Sequence, residues 1–257
     1  MRRLAALGLA ALVLASASAG ASTTRPPLGL IATPAHVAFS GSGRATVRIT
    51  NPGTNAVVVD IGRAGFSLDL RGRPKVVPRG DARAASDWIT VRPPHVVLPA
   101  GATRVLAVSA QVPLRAEPGD HDALVLLTTR PLQRAGVAFR MRIGIVVVVR
   151  APGRIVRRIA LGDLAVRHER GNRVLELRVT NRGNVTESLG RAGVRLEVRS
   201  GAALARLRPE ARDLRPRTSG IVQFRYRGAL GGWLTATARI AAQPGRPAVV
   251  RTYRLKL

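Results

Sequence analysis

VRITNPGTNAVVVDI, Val47 to Ile61, and LRVTNRGNVTESL, Leu177 to Leu189, are two versions of one sentence in this chain. Each alternates apolar and polar residues, reaches Thr-Asn, and enters a turn containing glycine. A period of two marks a half-buried strand, so Val47, Ile49, Leu177 and Val179 should face a core while Arg48 and Arg178 face solvent. Asn51-Pro52-Gly53 and Asn181-Arg182-Gly183-Asn184 are turn chemistry. Asn and Gly tolerate positive φ, the Asn side chain bonds nearby backbone, and a hairpin is expected at each.

Further matches follow in the same order. Gly62-Arg63-Ala64-Gly65 pairs with Gly190-Arg191-Ala192-Gly193, and Arg92-Pro93 with Leu98 pairs with Arg208-Pro209 and Leu214. Thr103 then matches Thr218 ahead of an apolar strand. The offset falls from 130 at the first match to 116 at the Arg-Pro pair, so loops differ in length while strands keep their order. This implies one domain used twice.

Past Ser22 the pattern is short apolar or alternating runs broken by Gly, Pro, Asn and Asp, with no long window of 3.6-residue apolar period. Strands are expected near residues 28–31, 45–50, 56–61, 66–70, 88–91, 96–98, 103–112, 122–129 and 137–149. The fold class is all-β: two tandem immunoglobulin-like β-sandwich domains after an N-terminal signal peptide. The expected boundaries are 1–21 for the signal, 22–152 for the first sandwich and 153–257 for the second. Ala151-Pro152-Gly153 makes a short joint, and the cleft beside it is a candidate binding surface.

Hydrophobic residues make up 46% of the 257 and aromatics only 3%, so Val, Leu, Ile and Ala must build the cores; Trp88 and Trp233 are expected inside them. There is no cysteine, hence no disulfide framework and no thiolate metal site. The formal charge is +28, almost all of it arginine, which attracts polyanions such as nucleic acid, anionic wall polymers or lipid headgroups. MRRLAALGLAALVLASASAGAS has two Arg, an apolar run and small residues, the form of a cleavable secretory signal. Later apolar runs are far shorter than the roughly 20 residues of a spanning helix, so no transmembrane segment is expected in the mature chain. Export makes nucleic acid an unlikely partner, and the few aromatics supply little base stacking.

Catalytic patterns are not found. FSGSGR at Phe39 to Arg44 is a Gly/Ser turn rather than a nucleophile elbow, and His36, His95, His121 and His168 have no ligand spacing. The expectation is a non-enzyme with no cofactor. Asp120-His121-Asp122 is the one cluster with metal-ligand chemistry; on a strand only Asp120 and Asp122 share a side, and no metal site is expected. Arginine grips carboxylate and phosphate through bidentate bonds. The candidate contacts for an anionic partner are therefore Arg154, Arg157 and Arg158 after the joint and Arg206, Arg208, Arg212, Arg215 and Arg217 in one proposed loop region.

The order of the TNPGTN turn, DWITVRPPHVVLPAGATRVLAVSAQVP and EPGDHDALVLLTT resembles the amino-terminal immunoglobulin-like domain of the PapD-type periplasmic pilus chaperones, and also the WxL-interacting envelope proteins. The carriers are the Asn-Pro turn, Trp88-Ile89 leading to Pro93-Pro94, Leu98-Pro99-Ala100-Gly101, and Pro118-Gly119-Asp120, over residues 28–150. The resemblance implies donor-strand complementation along VAFRMRIGIVVVVR, with Ile143, Ile145, Val147 and Val149 as the donor row. An unbroken apolar run is better explained by a strand buried on both faces, since a half-exposed donor would alternate. The resemblance further implies basic anchors for a partner's terminal carboxylate. LGLIATPAHVAF has none, leaving Arg140, Arg142 or Arg150. Two readings follow: a secreted noncatalytic envelope protein that contacts an anionic wall polymer or another surface protein through basic faces or a strand edge, or a periplasmic assembly chaperone.

Overall fold

The computed structural model describes residues 29–77, 83–134, 137–169, 171–190, 193–240 and 247–257. The expected signal, 1–21, lies outside the described residues. The first half holds β1 (Ile31–Thr33), β2 (His36–Ser40), β3 (Gly43–Thr50), β4 (Val57–Leu68), β5 (Pro74–Val77), β6 (Ile89–Arg92), β7 (His95–Leu98), β8 (Thr103–Ala110), β9 (Gly119–Thr129), β10 (Leu132–Arg134), β11 (Val137–Phe139) and β12 (Arg142–Ala151). The second holds β13 (Ile159–Glu169), β14 (Asn172–Asn181), β15 (Glu187–Ser188), β16 (Val194–Ser200), β17 (Ala203–Leu207), β18 (Asp213–Leu214), β19 (Ser219–Tyr226), β20 (Trp233–Ile240) and β21 (Val249–Lys256). The all-β expectation is met, with one 3₁₀ turn at Ser86–Trp88.

Two sandwiches result. In the first, the sheet β1-β3-β8-β6 packs on the sheet β2-β12-β9-β4-β5, with β7 added to β4. Val47, Ile49, Leu106 and Ile89 from one sheet meet Val59, Leu127, Ile145 and Val147 from the other. In the second, β13-β14-β19 packs on β17-β16-β20-β21 around Leu175, Leu177, Phe224, Leu196 and Leu234. Burial of the alternate residues drives the closure; Arg48 and Arg178 stand outside as expected.

The two Asn turns differ from expectation in an informative way. Neither closes a hairpin: β3 and β4 belong to opposite sheets, so the turn at Asn51 is an arch over the core. Asn51 is fully buried, and its amide donates to the carbonyls of Asn55 (2.8 Å) and Leu98 (3.0 Å) while its Oδ1 accepts from Gly53 N (2.9 Å). Asn181 repeats this with Val185 O (2.8 Å), Leu214 O (2.9 Å) and Gly183 N (2.8 Å). Leu98 and Leu214 are thus equivalent, as the sequence spacing implied. Thr103, however, corresponds to Ser219 rather than Thr218, because each bonds the Thr ahead of its Asn at 2.8 Å. The Gly62–Gly65 match is not structural. Gly62 and Gly65 lie within β4, whereas Gly190 and Gly193 bound a turn whose residues 191–192 are outside the described residues.

Other corrections concern β4, β12 and Trp233. Residues 56–61 and 66–70 form one long strand, and residues 137–149 divide into β11 and β12. Trp88 packs against the first core, but Trp233 is 62% exposed on β20. Replacing Asn51 or Asn181 by Ala would strand buried backbone groups at a cost of roughly 1–3 kcal/mol each. Urea titration should show a lowered midpoint with unchanged slope for the affected sandwich; a midpoint within error of wild type would refute the staple.

Candidate functional site

The chain from Pro118 to Asp122 enters β9 against the second sandwich, and nearly every polar group there is matched across the boundary. Gly119 has φ +112, and a Cβ on it would sit 2.0 Å from Asn184 O. That close approach lets Asp120 N donate to Asn184 O at 2.7 Å. The Asn184 amide donates to Pro118 O and to Arg154 O, both at 2.9 Å, and its Oδ1 accepts from Val156 N at 2.7 Å. The joint is therefore longer than Ala151-Pro152-Gly153: it runs from the end of β12 at Ala151 to Ile159, pinned along its length to the Asn184 turn. Gly183 has an ordinary φ and is needed for space instead, since a Cβ would lie 2.3 Å from Val156 O.

Asp120, His121 and Asp122 are all buried. The Asp120 carboxylate takes Arg150 in a two-pronged pair (2.7 and 3.1 Å) and Thr186 N at 2.7 Å. This bond holds the Arg150 guanidinium above its ordinary pKa. Asp122 pairs with Arg215, whose Nη1 also donates to Phe66 O at 2.8 Å and whose guanidinium lies 4.5 Å over the Phe66 ring. His121 points the other way, its ring tilted by 39° against Trp88 with centroids 4.3 Å apart and Nε2 2.7 Å from Glu117 O. The two carboxylates share a side, as a strand requires, and both are committed to arginine.

Around this base opens a cleft of about 490 Å³. One wall is the outer face of the first sandwich: Phe66 and Leu68 of β4, Val76 of β5, Leu124 and Leu126 of β9, and Val146 and Val148 of β12. Thr186, Asp213 and Arg215 close it from the second sandwich, and His36 and Arg142 stand on the sheet side. Gly144 contributes no side chain, which keeps the space above Leu124 and Leu126 open. The apolar run of β12 thus has two functions. Ile145, Val147 and Val149 are buried in the core, and Ile143 packs against it, so the expected donor row faces inward. The row one residue along, Gly144, Val146 and Val148, faces the cleft, since neighbouring strand residues point to opposite faces. On its outer edge β12 is paired with β2 only over Val146 to Arg150. Among the described residues, no strand pairs with that edge at 142–145.

The proposed arginines separate into groups. Arg212 donates to Leu70 O (2.7 Å) and Ile221 O (2.9 Å), and Arg217 pairs with Glu117, so with Arg215 they are struts between the sandwiches. Arg157 pairs with Glu187 at 3.0 Å and Arg206 with Glu197 at 3.1 Å. Arg154, Arg158 and Arg208 are exposed. In the loop cluster expected to hold a polyanion, Arg206, Arg212, Arg215 and Arg217 are thus engaged in internal bonds. Arg140 is exposed ahead of β12, and Arg142, also exposed, bonds Thr128 Oγ1 at 3.2 Å.

No family model matches the sequence, and no curated protein matches it. Solved structures do match in fold. A chaperone–tip adhesin complex of CFA/I fimbriae biogenesis aligns at 11% identity and a TM-score of 0.50, over 87% of this chain and 98% of the other. The CsuC–CsuE chaperone–tip adhesion subunit complex of Acinetobacter baumannii gives 14% identity and 0.46 over 86% and 97%. The CupB2 chaperone of Pseudomonas aeruginosa gives 14% and 0.44 over 88% and 100%. The chain has the PapD-like fold at low sequence identity. No helix among the described residues is long and apolar enough to cross a membrane.

Two outcomes test the junction. Gly119→Ala should cost about 1–3 kcal/mol from backbone strain alone and break the Asn184 contact; small-angle scattering should show a larger radius of gyration, and an unchanged radius would contradict the clamp. Glu176 of β14 pairs with Arg71 across the boundary at 3.1 Å. Burial raises its pKa, but bonds from Gln223 and Arg167 and the charge of Arg71 outweigh this and leave it lowered. A lowered carboxylate stabilises above its unfolded pKa and loses that contribution as pH falls through the folded value. Wild type should melt above Glu176→Gln at neutral pH, and the gap should close in acid; a pH-independent gap would refute the assignment.

Proposed function

We propose that this protein is a noncatalytic, extracytoplasmic chaperone-like binding protein that holds an extended segment of a secreted or surface protein. The observation that carries this reading is the edge of β12 at residues 142–145, which no strand among the described residues pairs, beside an apolar cleft. An open edge offers backbone donors and acceptors in strand geometry, and apolar pockets beside it select side chains, the two parts of strand addition. The fold likeness to a chain of a chaperone–tip adhesin complex supports the same reading.

Recognition would rest on main chain and apolar contact. Arg215 at the cleft base is already paired with Asp122, and Arg150, outside the cleft lining, with Asp120, so a partner's terminal carboxylate would have to compete with resident carboxylates. Arg142 is the cation on that wall with no carboxylate partner among the described residues.

A photo-crosslinking residue at position 142, exposed on the cleft wall, in the exported full chain, should capture an extracytoplasmic protein through an extended segment. Val76→Glu, which places a charge on the exposed side of the cleft, should reduce capture about tenfold while the melting temperature holds. Equal capture from position 48, on the far sheet, would overturn the assignment.

A further inference from the structure

We infer that the outer face of the second sandwich, β17-β16-β20-β21, docks flat on an anionic phospholipid surface. Register places the charges in rows. Arg195 of β16 lies directly opposite Arg239 of β20, and Arg199 lies opposite Thr235, which lies opposite Arg254 of β21. Trp233 stands beside Lys256 at one end of the face. Residues facing one another across strands are about 5 Å apart and those two along are about 7 Å apart, so several cations share a small flat area. Like charges placed directly opposite destabilise a sheet, and an external anion lattice would relieve this.

The rest of the molecule sorts its charge differently. On the other sheet of the same sandwich, Glu176 takes Arg71 and Arg167, and on β19 Arg225 pairs with Glu210. Among the described residues of the basic face, Glu197 is the single acid, already bonded to Arg206. Large apolar groups lie among these cations: Trp233 is 62% exposed under Arg254, whose guanidinium sits 5.0 Å from the ring centroid, and Val250 is 52% exposed. A flat face mixing arginine, an exposed tryptophan and aliphatic residues matches a headgroup interface, where aromatic rings sit at the boundary and basic residues meet anionic lipid. A soluble polyanion needs no such apolar component. The bonds to the first sandwich come from β14, β19, the arginines on either side of β18 and nearby turns, so docking by this face leaves the cleft open.

The test is co-sedimentation of the mature full chain with vesicles of phosphatidylglycerol mixed with phosphatidylcholine, against phosphatidylcholine alone. Wild type should bind only the anionic vesicles and release as salt rises. The triple variant Arg195→Glu, Arg199→Glu, Arg239→Glu should bind at least tenfold more weakly. Arg44→Glu, Arg48→Glu, Arg92→Glu, an equal charge change on the outer face of the first sandwich, should stay within about twofold of wild type. Trp233→Ser, which alters no charge, should also weaken binding, guarding against misfolding of the triple variant. Equal losses in both triples, no binding to anionic vesicles, or displacement by soluble polyphosphate with Trp233→Ser unaffected would each overturn the inference.

Discussion

The carboxamide and carbonyl of Asn184 fix how the two sandwiches meet. One residue bonds the start of β9 through Pro118 O and Asp120 N, and the connecting chain through Arg154 O and Val156 N. Gly119 and Gly183 are two of the places where the backbone comes too close for a side chain, and they flank this residue's contacts on either side. With the angle set, Asp120 reaches Thr186 N and Asp122 reaches Arg215. A buried ion pair incurs a desolvation cost, and the geometry offsets it: Arg215 also bonds Phe66 O and lies over the Phe66 ring. Such a network is cooperative, because loss of one member leaves the others buried without partners.

That network was invisible in the sequence for a physical reason. Period-two alternation is local, so Val47, Ile49, Leu177 and Val179 announced their strands and their buried sides. Arg215 and Asp122 are 93 residues apart and leave no periodic trace. The repeated Asn turn was legible as turn chemistry, and Asn51 and Asn181 fill equivalent roles within their own sandwiches. The difference between the copies is where the junction lies: Thr54 is exposed in the first turn, while Asn184 at the matching place in the second holds the joint. Glycine was also read for the wrong property at 183, where space rather than positive φ decides.

The strand IGIVVVV shows how a correct strand assignment can yield the wrong contact row. Its unbroken apolar character arises because one side enters the core and the other lines a cleft; composition reports that both are shielded and not which is which. Counting from the core resolves it. Ile145, Val147 and Val149 align with the buried side of β9, so Val146 and Val148 are left to the cleft, with Gly144 making room. An extended partner laid beside residues 142–145 would find both hydrogen-bonding groups and apolar surface without rearranging the sheet.

Arginine in this chain does two kinds of work, and the +28 charge blurs them. At the junction the planar fork lets Arg212 bond two backbone carbonyls and Arg215 a carbonyl and a carboxylate at once, a task for which lysine's single ammonium is a poor substitute. On the outer sheet face Arg195 and Arg239 are set opposite each other with no such engagement. Genomic composition bias would raise arginine everywhere on the surface. It does not explain why the acidic residues of the second sandwich, Glu197 apart, lie off this sheet, leaving one face cationic around an exposed tryptophan. Partition of charge, rather than its total, is therefore the property that distinguishes an interface from background.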